Sequence, residues 1–208
     1  MTATLDAPEQ RVVLHNISWD LYESLLLAHR ECRVPRFTYD RGELEIVSPS
    51  SEHEQLVETI TLFVNIVAEE MELNVKGFGS TTFRLRRKER GFEPDSCFYI
   101  KNLGPVRGKK KIDLRTDPPP DLVIEVDITS SSLDKLAIFA ALRIPEVWHF
   151  ENDECRILIL YQGKYVERTS SASFPCLTAE TINRLVQESR TLGPLAWIRR
   201  VREWIRSV

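Results

Sequence analysis

The sequence predicts an α/β (α+β) domain in which a mixed β-sheet core is flanked by helices. Three observations carry that expectation. Residues 50–71, "SSEHEQLVETITLFVNIVAEEM", place Leu56, Ile60, Phe63, Val64 and Val67 on one stripe at helical period, with Ser51 and Glu54 spaced as a capping box. Short apolar runs of strand length follow at 75–78, 81–86, 95–100 and 121–128. A second helical pattern over about 131–143 separates these from three more runs, "EVWHF", "RILILY" and "KYVER", and such alternation calls for helices packed on a sheet.

The remaining elements follow in chain order. "NISWDLYESLLLAHR" (16–30) reads as a short helix with Ser18 as N-cap and Leu21, Leu25 and Ala28 on its apolar face. "RFTYDRGELEIVSPS" (36–50) alternates about an Arg-Gly turn, the pattern of a hairpin that Pro49 stops. "LTAETINRLVQES" supplies a helix after the last strands. The tail from 191 to 208 carries Trp197, Ile198, Val201, Trp204 and Ile205 at helical spacing among arginines. It is expected to be an amphipathic basic helix docked on a single domain of residues 1–190.

The 208 residues are enough for one self-sufficient core. Cys32, Cys97, Cys155 and Cys176 are scattered and form no C-x-x-C pair, so a zinc ribbon and a disulfide framework are both disfavoured. "MTATLDAPEQRVV" has no basic segment followed by an apolar run, and no stretch has the length of a membrane span. A cytoplasmic protein with reduced thiols and no membrane partner is expected. A net charge of -3 argues against a chain coated with positive potential, yet "RLRRKER" (84–90), "RGKKK" (107–111) and "WIRRVREWIR" (197–206) are local basic segments.

The chemistry is concentrated in "PPPDLVIEVDITSSSLDK" (118–135). Alternation along a strand turns Asp121, Val123, Glu125 and Asp127 to one side and Leu122, Ile124 and Val126 to the other. Ionised carboxylates in a buried strand need a partner, which can be a cation-bearing side chain or a metal. Upstream, "FEPDSCFYI" sets Asp95 before another strand, and neighbouring strands would bring Asp95 and Glu125 to one point. Hard divalent ions such as Mg²⁺ or Mn²⁺ take such oxygen ligands. Lys135, near the first turn of the next helix, can return an ammonium to the same carboxylates. The plainer alternative is that Asp95 and Asp121 are turn residues and that Glu125 and Asp127 are held in ion pairs.

"P-D" at 94–95 followed by "E-V-D" at 125–127 resembles the PD-(D/E)XK nuclease-like superfamily. More closely, "YDRGELEIVSPSSEH" (39–53), "EPD" (93–95), "PPDLVIEVDITS" (119–130) and "DKLAIFAALRIPEVWHF" (134–150) resemble, in order, the Uma-type family of restriction-endonuclease-like proteins. The resemblance implies a restriction-endonuclease-like fold, Asp95 and Glu125 as metal ligands, a displaced catalytic lysine at Lys135, and a family histidine at His53. The superfamily's usual lysine position is Asp127 here, a family Tyr is Phe139, and a usual Gly is Arg143.

Glu54 and Glu58 lie near His53 at helical spacing as further candidate carboxylates. His15, His29 and His149 have no partner at metal-ligand spacing and read as structural. Ser130, Ser131 and Ser132 read as a loop and helix cap. No nucleophilic-serine elbow, Walker loop or dinucleotide fingerprint is present. The expected function is metal-dependent hydrolysis of DNA, with the 84–90 and 107–111 segments on either side of the scissile phosphate. Alanine at Asp95 or Glu125 would then remove a ligand and leave the fold intact. The rival is an inactive binding module on the same fold, with the tail mediating association, as in a homodimer.

Overall fold

The computed structural model describes residues 8–30, 32, 34–128 and 133–208. In chain order the first elements are β1 (Gln10–Leu14), α1 (Trp19–Ala28), β2 (Arg36–Asp40), β3 (Glu43–Ser48), α2 (Ser51–Glu70), β4 (Lys76–Gly77), β5 (Phe83–Leu85), β6 (Arg90–Phe92) and β7 (Ser96–Tyr99). Then come the short α3 (Leu103–Val106), β8 (Leu122–Asp127), α4 (Lys135–Ala141), β9 (Glu146–Glu151), β10 (Glu154–Tyr161), β11 (Lys164–Arg168), α5 (Ala179–Glu188) and α6 (Pro194–Ile205). The architecture is mixed α+β, with two sheets where the sequence suggested one.

The first sheet is antiparallel in the order β1-β3-β2-β6-β5. β1 and β6 were missing from the sequence reading. Both are short, and β6 contains Gly91, which lacks the side chain that would mark a strand face. Gly91 is required there for another reason: a Cβ would stand 2.3 Å from the Tyr22 hydroxyl oxygen. α1 covers this sheet with Trp19, Tyr22 and Leu26 rather than the predicted Leu21 face, since three aromatic rings, Trp19, Tyr22 and Tyr39, stack and cross beneath it. Leu21 is exposed.

The second sheet runs β11-β10-β9-β8-β7-β4, and within it only β8 and β9 are parallel. A parallel pair needs a crossover, and α4 supplies it. The predicted two faces of β8 are distinct: Leu122, Ile124 and Val126 enter the core under α2, α5 and α6, while Val123 packs with Ile138 and Phe139 of α4 on the opposite side. Phe83, Leu85 and Phe92 of the first sheet join that second cluster, so the two sheets meet there.

Helix α2 buries Ile60, Phe63, Val64 and Val67 completely, a gross gain of roughly 6–12 kcal/mol at about 1.5–3 kcal/mol for each side chain. Its cap is Ser50, whose side chain accepts from the His53 N–H, one residue before the predicted Ser51. His53 is thereby the third residue of the first turn, with its N–H on the cap. α6 packs against α2 and α5 through Trp197, Val201 and Ile205. The Trp197 indole donates to the Leu185 carbonyl at 2.7 Å, and Arg202 and Arg206 pair with Glu69 and Glu70. α4 begins at Lys135, not near 131, with Asp134 accepting from the Ala137 N–H as its cap. The serines proposed for that role, Ser130, Ser131 and Ser132, lie outside the described residues. Among the described residues no helix is long and apolar enough to cross a membrane.

Candidate active site

The antiparallel pairing of Ser96 with Ile124 sets Asp95, the residue before β7, beside the Glu125–Val126 step of β8. One carboxylate oxygen, Oδ2, accepts the Val126 N–H at 2.7 Å, which clamps Asp95 onto β8 where the ladder ends. Glu125 projects from the same strand and is bonded to the Lys135 ammonium at the start of α4. Asp127 Oδ1 lies 3.6 Å from the same nitrogen. His53 reaches in from α2: its Nε2 lies 3.1 Å from the Val126 carbonyl oxygen and 3.2 Å from Asp95 Oδ1. Facing two acceptors, that nitrogen carries the proton. Asp95, Glu125, Asp127, Lys135 and His53 are thus one cluster, assembled by β7, β8, α4 and α2.

Arg36 belongs to it as well, although the sequence reading passed over it. Its guanidinium joins Asp95 through Nη1 and Glu54 through Nη2, the latter at 2.6 Å. The signal was available: in "RFTYD" the apolar Phe37 and Tyr39 alternate with Arg36 and Thr38, and the second pair faces the site. Arg36 carries the first sheet onto the second. Behind it the Arg11–Glu45 pair, at 2.8 Å with Glu45 fully buried, fills the wall from β1 and β3. The remaining void bounded by Arg36, His53, Asp95, Glu125 and Lys135 is about 20 Å³, room for one water-sized sphere.

Electrostatics differ among the three acids. Burial alone would raise the Asp95 carboxyl, but the hydrogen bond and charge of His53 and the charges of Arg36 and Lys135 outweigh it and hold the group below its ordinary range. Burial pushes the Glu125 carboxyl up, and Asp95 and Asp127 add to that while Lys135 offsets part of it. Asp127 is held low: burial opposes ionisation, and the His149 hydrogen bond and the Lys135 charge prevail. Burial would likewise lower the Lys135 ammonium, yet its attraction to Glu125, Asp127 and Asp95 wins and raises it. Glu125 and Asp127 therefore share Lys135, while Asp95 shares Arg36 with Glu54. Among the described residues Glu125 Oε2 and Asp127 Oδ1 are buried without a hydrogen-bond partner.

His149 is more than a core histidine. Its Nε2 is 2.7 Å from Asp127 Oδ2, and Arg156 donates to its Nδ1 at 3.0 Å, so Nε2 is the nitrogen that donates to Asp127. Parallel pairing of Glu125 with His149 brings it there, a long-range register that sequence spacing does not reveal. Other candidates fall elsewhere. Asp121 accepts the Ile100 and Asn102 N–H groups, as a turn residue would. Glu54 reaches the rim through Arg36, whereas Glu58 is exposed on α2. Glu93 is half-buried at the edge of the same void, accepting from the Phe37 N–H and the Thr82 hydroxyl. His15 pairs with Glu43, and His29 Nε2 lies 2.6 Å from the Val34 carbonyl oxygen, both away from the cluster. The four cysteines are free thiols.

No curated protein matches the chain. A crystal structure described as that of "a putative nuclease belonging to DUF820 from Anabaena variabilis ATCC 29413" superposes with a TM-score of 0.51 at 14% identity, covering 73% of this chain and 92% of that one. At that identity the likeness concerns the fold. Residues 19–184 match the Uma2 family, described as "Putative restriction endonuclease". The match takes in β7, β8, α4 and the start of α2, the elements that build the cluster, and by its extent this chain belongs to the Uma2 family.

Proposed function

We propose that the protein is a metal-dependent endonuclease that hydrolyses phosphodiester bonds in DNA, with Asp95 and Glu125 as the ligands of Mg²⁺ or Mn²⁺. The observation that carries the reading is a pair of spare oxygens at the cluster: among the described residues Glu125 Oε2 and Asp127 Oδ1 are buried without a hydrogen-bond partner, the second only within 3.6 Å of the Lys135 ammonium, next to an Asp95 held below its ordinary range. Hard oxygen donors around a water-sized void suit a small divalent ion that retains water ligands. Among the described residues no group of three or more His, Cys, Asp or Glu is gathered for a metal, and magnesium sites commonly take only one or two carboxylates. Such an ion, when bound, polarises a phosphate oxygen and lowers the pKa of a bound water.

The chain's own residues divide the remaining work. His53 and the Val126 N–H fix the two oxygens of Asp95, so that carboxylate is preorganised. Lys135, held protonated, offers a fixed positive charge to the negative charge that develops on a phosphorane-like transition state. His149 orients Asp127 beside it. The experiment is plasmid nicking at low salt with Mg²⁺ or Mn²⁺, run beside chelator and the Glu125→Gln variant. Cleavage that needs the metal and Glu125 supports the reading; persistent cleavage by Glu125→Gln refutes this site.

A binding module without catalysis is favoured by one feature: Arg36 and Lys135 already occupy an oxygen each of Asp95 and Glu125, the two proposed ligands. On that reading the cations are the permanent partners of the carboxylates. Absence of Mn²⁺ binding by calorimetry would select it.

A further inference from the structure

A groove of about 980 Å³ runs beside α1 and β2, and its far wall is the 110–115 segment. Among the described residues six Lys or Arg and three acids line it, in a chain whose net charge is -3. The positive charge is therefore concentrated locally. Both basic segments contribute, Arg84 and Arg86 from one and Lys110 and Lys111 from the other. The two segments that flank the Asp95 strand in sequence thus meet across a single groove.

Four of these cations, Arg84, Arg86, Lys110 and Lys111, are open to exchange. Arg86 pairs with Asp20 at 2.5 Å and Glu23 at 3.3 Å, and Arg84 with Glu23 at 3.6 Å, all at side chains open to solvent. Exposed pairs of this kind contribute about 0–1 kcal/mol, so a phosphate can replace the acid at little cost. Lys110 and Lys111 are exposed and make no ion pair among the described residues. The floor includes Trp19 and Phe37, which are 5% and 4% exposed and locked in ring contacts of their own. They leave no open aromatic face for a base to stack on, which selects against a base-reading or single-strand stacking site. The groove also adjoins the carboxylate cluster: Glu93 lines both hollows and stands two residues before Asp95.

We infer that this groove holds the sugar-phosphate backbone of the nucleic acid on one flank of the site, by charge and without reading sequence. The inference deepens the proposed DNA reading and rests on it for the ligand class, though not for cleavage. The test is fluorescence anisotropy with a labelled DNA duplex and the full chain in chelator, repeated between about 50 and about 200 mM salt. The double variant Lys110→Glu/Lys111→Glu is compared with Lys164→Glu/Arg168→Glu, which makes the same charge change on exposed residues of β11; thermal unfolding checks that both remain folded. The groove variant is expected to bind at least about tenfold more weakly and to flatten the log K against log salt slope by about 1.5–2, the loss of two phosphate contacts. The β11 variant should follow the wild type. Equal losses in both variants, or no binding by the wild type at low salt, would overturn the inference. Glu125→Gln separates it from the catalytic reading: if that variant and the wild type bind DNA through the groove and neither cuts it, the groove stands and the nuclease proposal falls. If the wild type cuts and the groove variant binds and cuts equally well, the groove falls alone.

Discussion

Lys135, the first residue of α4, places its ammonium on the Glu125 carboxylate ten residues earlier in the chain, and Asp127 lies 3.6 Å from the same nitrogen. One cation serves two acids, with Asp95 near enough to perturb all three.

Glu125→Gln should leave stability within about 1 kcal/mol of wild type or raise it. The change removes a desolvated charge while Lys135 keeps Asp127, and relieving excess charge at a site often stabilises. Urea unfolding measures this. A loss above about 3 kcal/mol would mean that the Glu125–Lys135 pair holds the fold, as breaking a buried structural pair does.

Asp95→Ala should cost about 3–5 kcal/mol, contrary to the sequence-based expectation that it removes only a ligand. Its oxygens satisfy the Val126 N–H and the buried Arg36, and truncation strands the first and leaves the second with only the half-exposed Glu54. Glu58→Ala, on the exposed face of α2, should stay within about 0.5 kcal/mol of wild type in the same denaturation series.

If the carboxylates bind a divalent ion, Mn²⁺ at about ten times its Kd should stabilise the wild type by about 1.4 kcal/mol, by mass action. Differential scanning calorimetry should show this gain vanish in Glu125→Gln. A gain that persists there places the ion elsewhere.

Gly91→Ala should destabilise by about 1–3 kcal/mol, since the new methyl would meet the Tyr22 hydroxyl at 2.3 Å in a packed aromatic cluster. The double variant Gly91→Ala/Tyr22→Leu should recover part of the loss if that contact is the cause. No recovery would point to the β6 backbone instead.

Acid lability should include a contribution from Asp40. Burial raises its carboxyl, but Arg41 and Arg90 prevail and hold it below its ordinary value of 3.8. Because the folded pKa is the lower one, this contribution is fully present above about pH 4 and is lost as pH falls through the folded value. Arg90 also donates to the Ala137 carbonyl on α4, so the pair ties the first sheet to the crossover helix. Thermal unfolding of Asp40→Asn should accordingly depend less on pH below 4 than that of the wild type.

The sequence by itself determined whatever rests on local periodicity. It yielded the hairpin of β2 and β3, the buried face of α2, the two-faced strand β8, and the helix that returns Lys135, because side-chain alternation and capping are properties of neighbouring residues. The ordered motifs also led to Asp95, Glu125, Lys135, Asp127 and His53, which the fold gathers. Only the tertiary structure decided the split into two sheets, the short strands β1 and β6, and the partners that surround those five residues. Arg36 lies fifty-nine positions from Asp95, and His149 twenty-two from Asp127. Contacts of that range are set by strand register and sheet packing, and a buried carboxylate accepts whichever cation the packing delivers. The sequence stated the need for partners; the pairing of β8 with β9 and the meeting of the two sheets selected them.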